Sequence, residues 1–173
     1  MKKIFITGIS GTGKTAVTAA LQNVGYRAIS LDEEPGLCHW YDKINKKRVT
    51  YRAVLDKEFI SAHEWICDED KLRQLLDSNS VPVFVLGMAE NQAELLPLFD
   101  TILLLSCRPE IFIARIMQRE DNEFGQEESA QKYILETYQK FEKGMVEAGA
   151  VRIDAEPAIP EVVAAILRTV GLG

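Results

Sequence analysis

Apolar residues along this chain fall into two alternating kinds of run. Lys3–Thr7, Tyr26–Leu31, Val81–Leu86, Thr101–Leu105 and Ala150–Ile153 are short, rich in Val, Ile, Leu and Phe, and lack clean alternation with polar residues. Strands buried on both faces require such continuous runs, so each is read as a strand of a parallel sheet. The segments between them have helical spacing. Leu55, Phe59, Ala62 and Ile66 fall at i, i+4, i+7 and i+11, which predicts a helix that also carries His63 and Trp65. Ile111, Arg115 and Gln118 share a face of another helix, flanked by Ala114 and Met117. Asp68 is placed to cap a helix through Ser78, and Ser129 one through about Glu147, with Gly149 just beyond it. Strand, helix, strand repeated in this way predicts a three-layer α/β fold with a five-stranded parallel sheet and right-handed crossovers.

Composition narrows the picture. With 173 residues, 47% of them hydrophobic, residues 1–173 make one ordinary domain that needs no metal or disulfide to hold its core. Lys plus Arg is 20 and Asp plus Glu is 26, so the net charge of −6 argues against extended nucleic-acid binding but permits a local basic pocket. Cys38, Cys67 and Cys107 form no C-x-x-C pair, which suggests free thiols in a reducing compartment and no structural zinc. The apolar run after Lys3 stops within a few residues, and no stretch approaches the roughly 18 apolar residues of a membrane span. A cytoplasmic protein with no membrane partner is therefore expected. Nothing in the pattern speaks to oligomeric state.

The most specific chemistry lies after the first strand. Gly8-Ile9-Ser10-Gly11-Thr12-Gly13-Lys14-Thr15 matches G-x-x-x-x-G-K-[ST] at every fixed position, between a strand and the helical run Ala16–Val24. Glycines let successive backbone N–H groups turn inward around a phosphate, and the following helix aims its positive end at the same anion. Lys14 can reach the β- and γ-phosphates as a mobile charge, and the Thr15 hydroxyl can ligate Mg²⁺.

Other candidates follow from position. Asp32 ends the second strand, at the sheet edge where open α/β folds bind ligands, and can accept the proton of an attacking hydroxyl or hold Mg²⁺ through water. Glu34 is a second, weaker choice. Arg115 and Arg119 lie four apart on one helix face, pointing to the polar segment 120–128, and two guanidinium groups there can neutralise charge on a transferred phosphoryl group. The connection over residues 33–80 is far longer than one crossover helix needs, so it is read as the acceptor-binding insertion. Within it Lys43, Lys46, Lys47, Arg48 and Arg52 form a basic run that either holds an anionic acceptor or is a solvated charged face. His39 can line an acceptor pocket, and for Trp40 packing is favoured over that role.

On these residues the chain resembles the small P-loop kinases, the group containing the adenylate, shikimate and gluconate kinases. The resemblance implies a P-loop nucleotide-hydrolase fold with sheet order 2-3-1-4-5 and makes 120–128 a short lid, with Asn122–Gln126 in it. Arg115-Ile116-Met117-Gln118-Arg119 is similar to the helix entering the lid in adenylate kinases, which implies that Arg115 stacks on adenine and Arg119 contacts phosphate. Ile153-Asp154-Ala155-Glu156-Pro157 is similar to the segment whose backbone lies against the adenine, which brings in Ala155 and Pro157. The third strand, Val83-Phe84-Val85-Leu86-Gly87-Met88, lacks the metal-associated Asp of many relatives, so metal handling falls to Thr15 and Asp32. Gly87, Glu90 and Asn91 would face the acceptor by position.

The reading is an ATP- and Mg²⁺-dependent kinase for a small acceptor, a nucleotide, nucleoside or other hydroxyl-bearing metabolite. Lys14, Asp32, Arg115 and Arg119 are its catalytic candidates; Gly8, Ser10, Gly11, Thr12, Gly13, Lys14, Thr15, Arg115, Ala155 and Pro157 hold the nucleotide. Two other classes stay open: a nucleotide-binding regulator or chaperone-type ATPase, and a kinase acting on nucleic-acid ends.

Overall fold

The structure is a computed structural model and describes residues 2–50, 57–78, 81–118 and 126–173. Arg52, Leu55, Arg119 and most of the expected lid lie outside the described residues.

The chain opens with β1 (Lys3–Thr7), α1 (Lys14–Asn23) and β2 (Arg27–Ser30). The long connection then holds β3 (Cys38–Asp42), β4 (Arg48–Val49), α2 (Lys57–Ala62), β5 (His63–Cys67) and α3 (Glu69–Asp77). After it come β6 (Val83–Leu86), α4 (Gln92–Leu95), β7 (Thr101–Ser106), α5 (Pro109–Gln118), α6 (Glu128–Glu147), β8 (Val151–Asp154) and α7 (Ile159–Thr169). Strands β2-β6-β1-β7-β8 form a five-stranded sheet in which every pairing is parallel. Counted along the chain these are the five strands expected from the apolar runs, in the order 2-3-1-4-5.

Both faces of the sheet are covered, which is why its strands read as unbroken apolar runs. Ile4 and Ile6 pack with Val17 and Leu21 of α1 and Val162 and Ile166 of α7. Phe5, Val83 and Val85 pack on the opposite side with Leu72 and Leu76 of α3. All of β6 is buried. Asp68 caps α3 as expected, its carboxylate accepting from the Lys71 N–H at 3.0 Å. The expected Ser129 cap is displaced: α6 starts at Glu128 with Glu127 in the capping position, so Ser129 falls inside the first turn.

The connection corrects a larger expectation. The helix read over Leu55–Ile66 stops at Ala62, and His63 and Trp65 lie on a strand. β5 pairs antiparallel with β3, and β4 with β3, giving a second, three-stranded sheet. Ile66 satisfied a helical period by coincidence, because over so short a stretch periods of 2 and 3.6 share positions. The ladder with β3 decides between them: it sets Cys67 opposite Cys38 and Trp65 opposite Trp40. Between β3 and β4 the turn is built by side chains. Asp42 Oδ1 accepts from the N–H groups of Ile44 and Asn45, each at 2.9 Å, and Asn45 Oδ1 from that of Lys47 at 2.8 Å. Among the described residues no helix is long and apolar enough to cross a membrane.

Candidate active site

The phosphate loop leaves the end of β1 at the centre of the large sheet. Gly8 lies against β7, where an added Cβ would stand 2.7 Å from the Leu105 carbonyl oxygen. Buried Thr12 ties the loop together: its hydroxyl donates to the Ile9 carbonyl at 2.8 Å and its N–H to the same oxygen at 3.3 Å. Gly11 and Gly13 have φ of 84° and 95°, the left-handed region, and Gly13 is the residue from which α1 starts. Lys14 folds over the loop, its Nζ donating to the carbonyls of Gly8 at 2.6 Å and Ile9 at 3.1 Å. Ser10 is partly exposed, and Thr15 is exposed in the first turn of α1.

One flank of the loop, toward β7 and β8, joins residues far apart in sequence. Arg115 on α5 donates through Nη1 to the Ala155 carbonyl at 2.9 Å and through Nη2 to that of Glu156 at 3.4 Å. The arginine and the Ala155–Pro157 segment, identified separately in the sequence, thus meet in space. Ala155 is buried and its N–H donates to the Ser106 carbonyl at 2.9 Å, which extends the ladder between β7 and β8 by one residue. Pro157 is half-buried beside it.

An ion pair that the sequence reading missed locks this segment. Arg108 grips both Glu156 oxygens, Nε to Oε1 and Nη2 to Oε2 at 2.9 Å, and its backbone N–H also donates to Oε1 at 3.0 Å. The guanidinium and this backbone bond hold the Glu156 carboxyl below its ordinary range. Nothing local signals a pair 48 residues apart. An open groove of about 900 Å³ runs past this clamp, lined also by Glu142 of α6 and Arg152 of β8, which are ion-paired to each other at 3.1 Å.

Asp32 stands on the opposite flank, just beyond β2 and two strands from the phosphate loop. Its Oδ1 accepts from Trp65 Nε1 at 3.1 Å, a contact out of reach of any sequence reading that puts Trp65 on a helix. Asn91, expected at the acceptor by position, instead braces the small sheet, its amide bonding both the N–H and the C=O of Cys67, at 3.0 and 2.9 Å. The Glu90 N–H donates to the Trp65 carbonyl at 2.8 Å, so the segment after β6 anchors β5. Cys38 and Cys67 are buried, unbridged thiols facing each other; their mutual hydrogen bond and burial push the Cys38 thiol up.

Lys43, Lys46, Lys47 and Arg48 of the basic run lie in the β3–β4 hairpin, and two of them are committed to the protein. Lys43 Nζ donates to the Ile60 and Ser61 carbonyls at the end of α2, both at 3.1 Å, where a cation also suits the helix dipole. Lys46 pairs with Glu64 at 2.7 Å. Trp40 packs in an aromatic cluster, with ring centroids 5.2 Å from both Phe59 and Trp65. Desolvation, followed by the Arg48 charge, pushes the His39 imidazole below its ordinary pKa.

With this arrangement established, the family model described as the AAA domain matches residues 4–136. The chain belongs to this family. No curated protein matches its sequence. Among solved structures, the AAA-domain chain is similar to deoxyadenosine kinase from M. mycoides, with 17% identity, a TM-score of 0.57 and 98% of each chain covered. It is also similar to shikimate kinase from Acinetobacter baumannii, at 16% identity and a TM-score of 0.61 over 98% of this chain and 93% of that one. A gluconokinase from Sinorhizobium meliloti 1021 gives 18% identity and a TM-score of 0.54 over 98% and 91%. This AAA-domain chain therefore has the small P-loop kinase fold. Among its described residues no group of three or more His, Cys, Asp or Glu is placed to hold a metal. The Thr15 hydroxyl is exposed at the start of α1, and the Asp32 carboxylate stands two strands away along the same sheet edge.

Proposed function

We propose that this chain is an ATP- and Mg²⁺-dependent kinase that phosphorylates a small hydroxyl-bearing acceptor, with nucleotides and nucleosides the leading class. The observation that carries the reading is the division of the sheet's carboxyl edge into two flanks. The phosphate loop is central on β1, the Arg115 clamp on Ala155 and Glu156 lies toward β8, and Asp32 lies toward β2. A protein that only binds nucleotide needs the first two of these. A carboxylate on the far flank, within the long insertion's reach, is what an acceptor hydroxyl requires.

The chemistry divides among these residues. The N–H groups of residues 8–15 cradle the phosphates, and Lys14 exchanges its carbonyl partners on Gly8 and Ile9 for phosphate oxygens. Thr15, with Asp32 through water, would hold Mg²⁺, which would supply charge neutralisation on the phosphates. Arg115, oriented by two carbonyls, presents its guanidinium plane for an adenine to stack on, against the backbone of Ala155 and Pro157. Asp32 accepts the acceptor's proton as its oxygen bonds to the γ-phosphorus and the bond to the ADP oxygen breaks. Arg119 is assigned the charge on the group in transfer, and 120–128 the lid that excludes water. We assign residues 33–80 to acceptor binding within one kinase domain, acting in the cytoplasm. The engagement of Lys43 and Lys46 by protein groups weighs against the nucleic-acid-end reading.

The test is a turnover screen with ATP and Mg²⁺ over nucleosides, nucleotides, sugars and small hydroxy acids, run on the wild type and on Asp32→Asn. Transfer to one acceptor class should collapse in Asp32→Asn while ATP still binds. Undiminished transfer would remove Asp32 from the mechanism.

A further inference from the structure

The three-stranded sheet has two chemically different faces. Register places Trp40 opposite Trp65 and Cys38 opposite Cys67, so these four side chains share one face. His39, Tyr41, Glu64 and Ile66 share the other. The cysteine end of the first face is buried in the core beside β2 and β6. Its tryptophan end is half-buried and emerges at Asp32, where the Trp65 N–H donates to Oδ1. Trp40 lies tilted at 47° to Trp65, with centroids 5.2 Å apart, and also meets the Phe59 ring edge-on, so the partly exposed indoles belong to one uncharged aromatic cluster.

The positions along the sheet edge set an order. From the phosphate loop on β1 to the end of β2 is two strand spacings, about 10 Å. The Trp65 N–H meets Asp32 Oδ1 at 3.1 Å, so a group bonded to that carboxylate would lie beside the indole. Lys43 and Lys46, cations that could have held an anionic acceptor, are turned to Ile60, Ser61 and Glu64.

We propose that Trp65 and Trp40 form a subsite for a flat heteroaromatic ring, so that the acceptor is a nucleoside-class molecule with its hydroxyl at Asp32 and its base against the indoles. This rests on the kinase reading above and adds to it the place and chemistry of the acceptor's far end. Stacking suits such a ring because a π-face meets a π-face without needing a charge, whereas a sugar acid offers no comparable surface.

The chain contains only these two tryptophans, so its tryptophan emission reports on this surface alone. Intact protein is titrated with adenosine, deoxyadenosine, cytidine and thymidine, with shikimate and gluconate as non-aromatic controls. ATP binding is measured separately by calorimetry. The expected result is a saturable change of emission with at least one nucleoside and none with the two acids. In Trp65→Leu the same nucleoside should bind about tenfold or more weakly, read by calorimetry. Trp40→Leu is the second variant, and both are checked for a cooperative melt so that a folding defect is not mistaken for a lost subsite. If ATP binds and no nucleoside alters the emission, or if a nucleoside binds both folded variants as well as the wild type, the subsite is refuted and the kinase reading stands. Failure of ATP to bind would overturn that reading and this one with it.

Discussion

Gly11 offers the sharpest physical test of how the phosphate loop is held. Its φ of 84° is in the left-handed region, which costs an L residue about 1–2 kcal/mol. Space adds a second cost. A Cβ on Gly11 would stand 2.4 Å from the Phe112 carbonyl oxygen and 3.0 Å from Ile116 Cγ1, both on α5. Either the loop or α5 must give by roughly 0.6–1 Å to reach a tolerable contact, and forcing such overpacking costs about 1–3 kcal/mol. Gly11→Ala should therefore lose about 2–5 kcal/mol, a large share of the roughly 5–15 kcal/mol of an ordinary domain. Gly13→Ala is the internal comparison. Its φ of 95° carries the same backbone cost, but the nearest atom to its Cβ, Ile159 Cδ1, is 3.8 Å away, an ordinary contact. Its loss should stop at about 1–2 kcal/mol. Urea unfolding of the two variants beside the wild type measures both values. Equal losses, or a smaller one for Gly11→Ala, would refute the close approach of the loop to α5.

Other outcomes follow from the same contacts. Arg115→Ala removes the clamp on Ala155 and Glu156 and should raise the ATP dissociation constant about tenfold or more, while leaving the buried Ala155 carbonyl unpaired should cost about 1–3 kcal/mol of stability. Asp68→Ala deletes the α3 cap and should cost about 1 kcal/mol in urea unfolding. Asp42 and Glu156 both have folded pKa values below their ordinary 3.8 and 4.5, so each contributes stability that is present above those values and is lost as pH falls through the lower folded ones. Asp42→Asn and Glu156→Gln should each flatten the fall in urea midpoint below about pH 4.5, and an unchanged acid slope would contradict the backbone and arginine bonds assigned to them.

What could be read from the sequence depended on how local the cause was. The strands of the large sheet announce themselves because burial on both faces demands unbroken apolar runs, as in Val83-Phe84-Val85-Leu86. The phosphate loop is legible because the spacing of Gly8, Gly13, Lys14 and Thr15 is itself the binding device. The Asp68 cap is a contact over three residues. The small sheet escaped because β5 is made a strand by β3, which lies over twenty residues upstream, and the local spacing of Phe59, Ala62 and Ile66 favours a helix. Arg108 with Glu156, and Trp65 with Asp32, are pairs created only when the sheet closes the distance between them. Asn91 shows the converse, since its place after β6 suggested an acceptor contact while its amide is occupied by the Cys67 backbone.

The central claim is transfer of a phosphoryl group from the nucleotide in the Gly8–Thr15 loop to an acceptor beside Asp32. It is tested most directly by following γ-labelled ATP with Mg²⁺ into product over the nucleoside and nucleotide panel, with wild-type protein and Lys14→Ala in parallel. Label should appear in an acceptor with the wild type, and the rate should fall by about a thousandfold or more in a folded Lys14→Ala protein. Label that reaches only inorganic phosphate across every acceptor, or Lys14→Ala turning over like the wild type, would contradict it.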